Sequence, residues 1–274
     1  MTIVNEKLLH QTTSRDGTEI GYWTSGEGPP LLLIHGGLGD HTRWDVLRPH
    51  LEAHVTVHAM DRRGRGASGD GLEYAIEREY EDVAAVVDAI AEASDSLVDV
   101  YCSSYGGLCA FGAATLTSNI RRLALYEAWP LVDPSAVGPP PGLLDRLEAL
   151  LADGNRESAL ETSYRELLKL NDEQLHEVRA QPSWPARIAA AHTIPREIRT
   201  FLKTTFDPEQ ARKITAPTLL LVGSESPEVY HPETVAATLP DARIATLEGQ
   251  EHIADLLAPK LVAETLLPFV REQP

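Results

Sequence analysis

Apolar and polar positions along the chain fall into two alternating patterns. LLLIH (31–35), HVTVHAM (54–60), LVDVYC (97–102), LALY (123–126) and TLLLV (218–222) are short apolar runs with few polar interruptions. Strands covered on both faces of a sheet read this way, because neither face meets water. Between them lie amphipathic stretches, the clearest over residues 77–93, where Val83, Val86, Val87 and Ile90 share one face at helical spacing. Strands alternating with helices predict an α/β fold, a mostly parallel sheet with helices on both faces. The opening differs: two strand-like runs flank Asp16-Gly17, a hairpin signal that predicts an antiparallel pair at one sheet edge. With a last strand in ARIATLEGQEHIAD (242–255), the sheet has eight strands.

The alternation stops after Trp129-Pro130. From there to about residue 213 the pattern is helical, with Leu143, Leu147, Leu150 and Leu151 on one stripe and Leu160, Tyr164, Leu167 and Leu168 on another. Gly138-Pro139-Pro140-Pro141 and the Gln181-Pro182-Ser183-Trp184-Pro185 stretch punctuate it. Residues 130–213 therefore read as a helical cap inserted after the sixth strand. The core domain is then 1–129 and 214–274, with the sheet resuming at Ala216-Pro217.

Charge narrows the function classes. The chain carries 24 basic against 41 acidic side chains, a formal net charge of −17, which repels phosphate backbones and anionic lipid. Neither nucleic acid nor a membrane surface is expected as a partner, which leaves a small-molecule substrate; oligomeric state is not legible. Cys102 and Cys109 have neither metal-ligand spacing nor a redox-pair pattern, and are expected to be reduced and structural. The amino end lacks a basic start followed by an apolar run, and no stretch approaches the roughly 20 apolar residues that span a bilayer, so a cytoplasmic location is expected.

The strongest chemical signal is VDVYCSSYGGLCAFGAA (98–114), a strand that runs into a helix through a turn of small residues. Such an elbow projects a nucleophilic hydroxyl above the sheet edge, and its sharp bend demands small neighbours. Centring it on Ser104 puts Cys102 two residues before and Gly106 two after. Centring it on Ser103 would put Tyr101 and Tyr105 at the crowded positions. Sterics select Ser104.

In order, LLLIHGGLGD, MDRRGRGASG, YCSSYGG, APTLLLVG and EGQEHIA resemble the landmarks of the α/β-hydrolase superfamily, from about residue 17 to 270. One departure is Cys102, where members usually carry glycine. The resemblance implies a serine nucleophile at Ser104, an oxyanion hole formed by the N–H groups of Gly37 and Tyr105, and His252 as the base. Glu251, next along the chain, is expected to point away from His252.

Members most often place the acid just after the strand equivalent to TLLLV, but this chain reads Gly223-Ser224-Glu225-Ser226-Pro227 there. A second known location follows the preceding strand, where this chain has Glu127. Glu127 is preferred, with Glu225 as the alternative. Asp61-Arg62-Arg63-Gly64-Arg65-Gly66 is read as a tight loop tied down by Asp61, not as a phosphate site.

The expected activity is hydrolysis of a small organic ester or related acyl compound through an acyl-enzyme, with no cofactor and no metal. Carbon–carbon bond hydrolysis and perhydrolysis could use the same groups, and a non-catalytic binding protein on the same fold is the alternative from another class. Leu38, Trp129, Trp184 and Phe201 are the expected substrate-binding residues, although aromatics in a small helical unit more often form its own core.

Overall fold

The structure is a computed structural model and describes residues 7–133, 135 and 138–272; the first six residues of the amino end discussed above lie outside the described residues. Its eight strands are β1 (Leu8–Thr13), β2 (Glu19–Gly26), β3 (Pro30–Ile34), β4 (Thr56–Met60), β5 (Val98–Ser103), β6 (Ile120–Tyr126), β7 (Thr218–Gly223) and β8 (Ala242–Leu247). They form one sheet in the order β1-β2-β4-β3-β5-β6-β7-β8. β2 runs antiparallel to both β1 and β4, and every other neighbouring pair is parallel. The expected hairpin is present: Asp16 accepts the Thr18 N–H at 3.0 Å, and Gly17 supplies a φ of +87° in the turn.

The near-continuous apolar strands serve two cores at once. Leu32, Ile34, Val100, Cys102, Leu123 and Leu125 face a cluster with Val83, Val86, Val87 and Ile90 of α1 (Ile76–Ser94) and with α2 (Tyr105–Ala113). Their alternates Leu31, Leu33, Tyr101, Ala124 and Tyr126 face the opposite cluster. This period of two with both faces covered is what the uninterrupted runs encode.

Between β6 and β7 come α3 (Leu143–Ala152), α4 (Arg156–Glu166), α5 (Asp172–Arg179), α6 (Trp184–Ala190), α7 (Ile194–Phe201) and α8 (Pro208–Ala211). Leu143, Leu147, Leu160 and Tyr164 are buried together with Leu38, Ile253 and Leu256 from the loops at the sheet edge, so these helices rest on the ends of the strands. The two stems of the segment meet where Leu131 bridges Thr205 and the Phe206 N–H donates to the Leu131 carbonyl at 2.9 Å. The chain then closes with α9 (Pro232–Ala236), α10 (Ala254–Leu257) and α11 (Pro259–Arg271), the last covering the second core.

Candidate active site

Ser104 stands alone between β5 and α2, with φ +54° and ψ −130°, a conformation few non-glycine residues hold. The neighbours show why small residues surround it. A Cβ on Gly106 would lie 2.4 Å from the His35 and Ile34 carbonyls, and one on Gly36 would lie 2.8 Å from the Ser104 Cβ. Cys102 fits: it is fully buried, and its thiol contacts the Ala124 carbonyl at 3.4 Å. Ser103 is also fully buried, its hydroxyl unpartnered and away from the cavity that Ser104 lines.

The Ser104 Oγ lies 2.9 Å from His252 Nε2, and His252 Nδ1 lies 2.7 Å from Glu127 Oε2. A carboxylate facing Nδ1 demands a proton there, so Nδ1 donates to Glu127 and Nε2 is left to accept from the Ser104 hydroxyl. Glu127 follows β6 at φ +46°, is 3% exposed, and takes the Gly223 N–H on Oε1 at 2.8 Å. Burial works to raise its pKa, but the hydrogen bond and charge of His252, together with the Ser226 side chain and the Gly223 N–H, hold the carboxyl below its ordinary value. Glu225 is placed elsewhere: exposed, bonded by its own N–H to the Gln250 carbonyl, and lining a separate acidic cleft. Glu251 turns its carboxylate to Gln174 at 2.9 Å, away from His252, as expected for an adjacent side chain.

Gly37 and Tyr105 line the same cavity as Ser104. Among the described residues neither amide has a protein acceptor, and the Tyr105 N–H is one of the orphan donors of a helix start. The Tyr105 side chain is tied away from the site, its hydroxyl 2.7 Å from that of Tyr74 and its ring under the Arg62 guanidinium at 4.5 Å. N–H groups that lack a protein acceptor and border the cavity of a hydroxyl are the kind of donor that can hold negative charge on a carbonyl oxygen. His35 belongs to the framework: its Nε2 accepts the Arg62 N–H at 3.2 Å, and burial, with the charges of Arg65 and Arg62, holds its pKa well below the ordinary value.

Above Ser104 lies a cavity of about 460 Å³ walled by Leu38, Leu131, Leu167, Ile198, Phe201 and Ile253. The chain matches the model of the alpha/beta hydrolase family over residues 31–265. It belongs to the alpha/beta hydrolase family. A solved alpha/beta hydrolase from Sphaerobacter thermophilus is 36% identical, with a TM-score of 0.79 over 95% of this chain and 100% of that one. The 2-hydroxy-6-oxo-6-(2'-aminophenyl)hexa-2,4-dienoic acid hydrolase of Metapseudomonas resinovorans is 26% identical over 76% of this chain and 72% of its own. The non-heme chloroperoxidase CPO-A1 of Kitasatospora aureofaciens is 26% identical over 88% of this chain and 90% of its own. The chain is thus an enzyme of the hydrolase class.

Two aromatic expectations are corrected in this alpha/beta hydrolase. Trp129 does not line the cavity; it is buried in the first core and its Nε1 donates to the Tyr230 carbonyl at 2.6 Å. Trp184 is buried among the inserted helices, its Nε1 donating to Glu157 at 2.8 Å. Both indoles find core positions with one polar partner each, Trp129 against the sheet and Trp184 in the helical layer. Leu38 and Phe201 do line the cavity. The sequence reading missed Tyr230, whose hydroxyl lies 2.9 Å from His252 Nδ1. No spacing pattern marks a tyrosine in a loop as the neighbour of a histidine 22 residues later.

The Asp61 loop is a junction, as the sequence suggested. Asp61 accepts the N–H groups of His41 at 2.9 Å, Ala67 at 2.9 Å and the Trp23 indole at 3.1 Å. Asp40, His41 and Asp61 gather their donor atoms within 4.8 Å, but both carboxylates are engaged by their own loops, Asp40 by the Thr42 N–H at 2.9 Å. The arginines are neutralised internally: Arg62 by Glu79 and Glu197, Arg63 by Asp82 and Asp16, Arg65 by Glu197.

Glu197 was not singled out in the sequence, yet it joins α7 to the core. One of its oxygens accepts from Arg62 at 2.7 Å and from Arg65 at 2.5 Å, and the other lies 3.1 Å from where a Cβ on Gly37 would stand. Removing one member of a buried ion pair leaves the other charge uncompensated, at a cost of about 3–5 kcal/mol. Glu197→Ala is therefore expected to lower unfolding stability in urea by about 3 kcal/mol or more, whereas Glu148→Ala, at the exposed pair with Arg199, should cost under about 1 kcal/mol. Equal losses would show that Glu197 is no latch.

Proposed function

We propose that this protein is a serine hydrolase that cleaves small, largely apolar esters or related acyl compounds through an acyl-enzyme on Ser104. The observation that carries this reading is the unbroken chain from the Ser104 hydroxyl through His252 to buried Glu127, at the floor of an apolar cavity. His252 takes the Ser104 proton as Oγ attacks the carbonyl carbon, and the resulting oxyanion is held by the Gly37 and Tyr105 N–H groups. The intermediate collapses as His252 returns the proton to the departing alcohol oxygen. A water, deprotonated by His252 in turn, then releases the acid and restores Ser104.

The cavity supports an uncharged substrate over the organic acid named for the Metapseudomonas relative. Of the cations among its described lining residues, Arg43 is already balanced by Asp255 through two hydrogen bonds of 2.7–2.8 Å, and Lys169 stands on the exposed rim. A volume of about 460 Å³ suits a ligand of modest size, since small-molecule pockets span roughly 300–1,000 Å³.

The test is covalent. A fluorophosphonate with a short alkyl chain should attach one equivalent to Ser104, located by peptide mass spectrometry, and nitrophenyl esters of increasing acyl length should then map the cavity. Absence of labelling would favour the non-catalytic binding reading. Labelling at Ser103 would mean that the elbow is registered one residue earlier.

A further inference from the structure

Tyr230 reaches the site from the loop after β7, the same loop that carries Glu225. Its hydroxyl lies 2.9 Å from His252 Nδ1, its ring plane is within 5° of the imidazole plane, and the ring centroids are 5.9 Å apart. Its main chain is pinned, because the Trp129 indole donates to its carbonyl at 2.6 Å and packs edge to face against its ring. The hydroxyl is therefore placed by the fold.

The hydrogen count decides what that hydroxyl does. A neutral imidazole has one N–H, and at Nδ1 it points to Glu127 Oε2, 2.7 Å away. Nδ1 then has no lone pair left to accept from Tyr230, and its hydrogen is already given. The phenolic proton must go to the acceptor next to Nδ1, which is the Glu127 carboxylate. We propose that Tyr230 is a positioning residue: it donates to Glu127 beside His252, and by sharing that carboxylate it sets how strongly Glu127 supports a protonated imidazole. The assignment rests on the serine-hydrolase reading of the same site.

With the Tyr230 hydroxyl added to His252 and the Gly223 N–H, and with the Ser226 side chain beside it, Glu127 is surrounded by donors. A carboxylate bonded this often is a weak base, so it orients the imidazole without binding its proton too tightly. The other titratable groups around the pair do not compete. Tyr126, from β6, donates to the Glu251 carbonyl; the Glu251 carboxylate faces Gln174; and Asp255 is held by Arg43. Burial, reinforced by the charge of Glu127, pushes both the Tyr230 and Tyr126 phenols above their ordinary range, so each stays protonated and remains a donor.

Tyr230→Phe keeps the ring and removes the donor. Glu127 then becomes more basic and favours the imidazolium, so the acid limb of kcat/KM is expected to move up by about 0.5–1 pH unit, the scale of one ordinary net hydrogen bond. The low-field proton resonance of His252 Nδ1 should move in the same variant. Replacing Tyr230 by 3-fluorotyrosine, a stronger donor, should move the limb the opposite way. A limb and resonance unchanged in both variants would overturn the proposal, as would shifts of the same sign, which a packing role alone could produce. If Ser104 fails to take the fluorophosphonate, the hydrolase reading falls, while the resonance still reports whether Tyr230 acts on the His252–Glu127 pair.

Discussion

Ser104→Ala is expected to reduce hydrolysis of an activated nitrophenyl ester by roughly 10⁴–10⁶-fold, with thermal unfolding nearly unchanged. The hydroxyl is the atom His252 Nε2 contacts at 2.9 Å, and among the described residues no other side-chain nucleophile is hydrogen-bonded to that nitrogen. Alanine adds no bulk beside Gly36 and keeps the backbone geometry as serine does. Ser103→Ala should behave differently. That hydroxyl is fully buried without a partner, so its removal deletes an unsatisfied group and is expected to leave activity within about tenfold. Steady-state rates for the two variants decide the matter. If Ser103→Ala is the inactive one, the mechanism has to be rebuilt around the other serine.

Glu127→Gln is expected to lower turnover by at least about 100-fold, and losses near 10⁴ are known where an amide replaces an orienting carboxylate. Glutamine can still accept the Gly223 N–H with its carbonyl oxygen, so the side chain is held as Glu127 is. Its NH₂ group then faces His252 Nδ1, which must become the acceptor. The ring proton moves to Nε2, where it points at Ser104 and can no longer leave room for the serine proton. Glu225→Gln alters an exposed side chain outside the cavity and should change turnover by less than about tenfold. Small, equal effects from both would mean that neither carboxylate orients the base. A large effect from Glu225→Gln alone would require the loop after β7 to rearrange during turnover.

Among the described residues no helix is long and apolar enough to cross a membrane. The chain has a large acidic excess, while buried Arg43, Arg62 and Arg63 find acidic partners inside. Composition therefore says more about which partners are repelled than about the site, whose charges are settled pair by pair.

The sequence alone determined the strands, their grouping into a mostly parallel sheet, the edge hairpin and the helical segment after the sixth strand. These follow from periodicities set by burial, which are written residue by residue. It also favoured Ser104 over Ser103, because the crowding at a sharp strand-to-helix turn acts between covalent near-neighbours. Tertiary structure decided what depends on partners far apart in the chain. β6 and β7 are adjacent, with Tyr126 opposite Leu221, so Glu127 and Glu225 leave the sheet at the same end. Only the backbone turn at Glu127 and the Gly223 N–H aim one of them at His252, while the other faces solvent. Tyr230 beside that pair, Glu197 beneath Gly37, and Trp129 and Trp184 in cores instead of the cavity wall were settled in the same way. A side chain's local pattern records whether it is buried, but the group it meets there is fixed by elements that arrive from elsewhere in the fold.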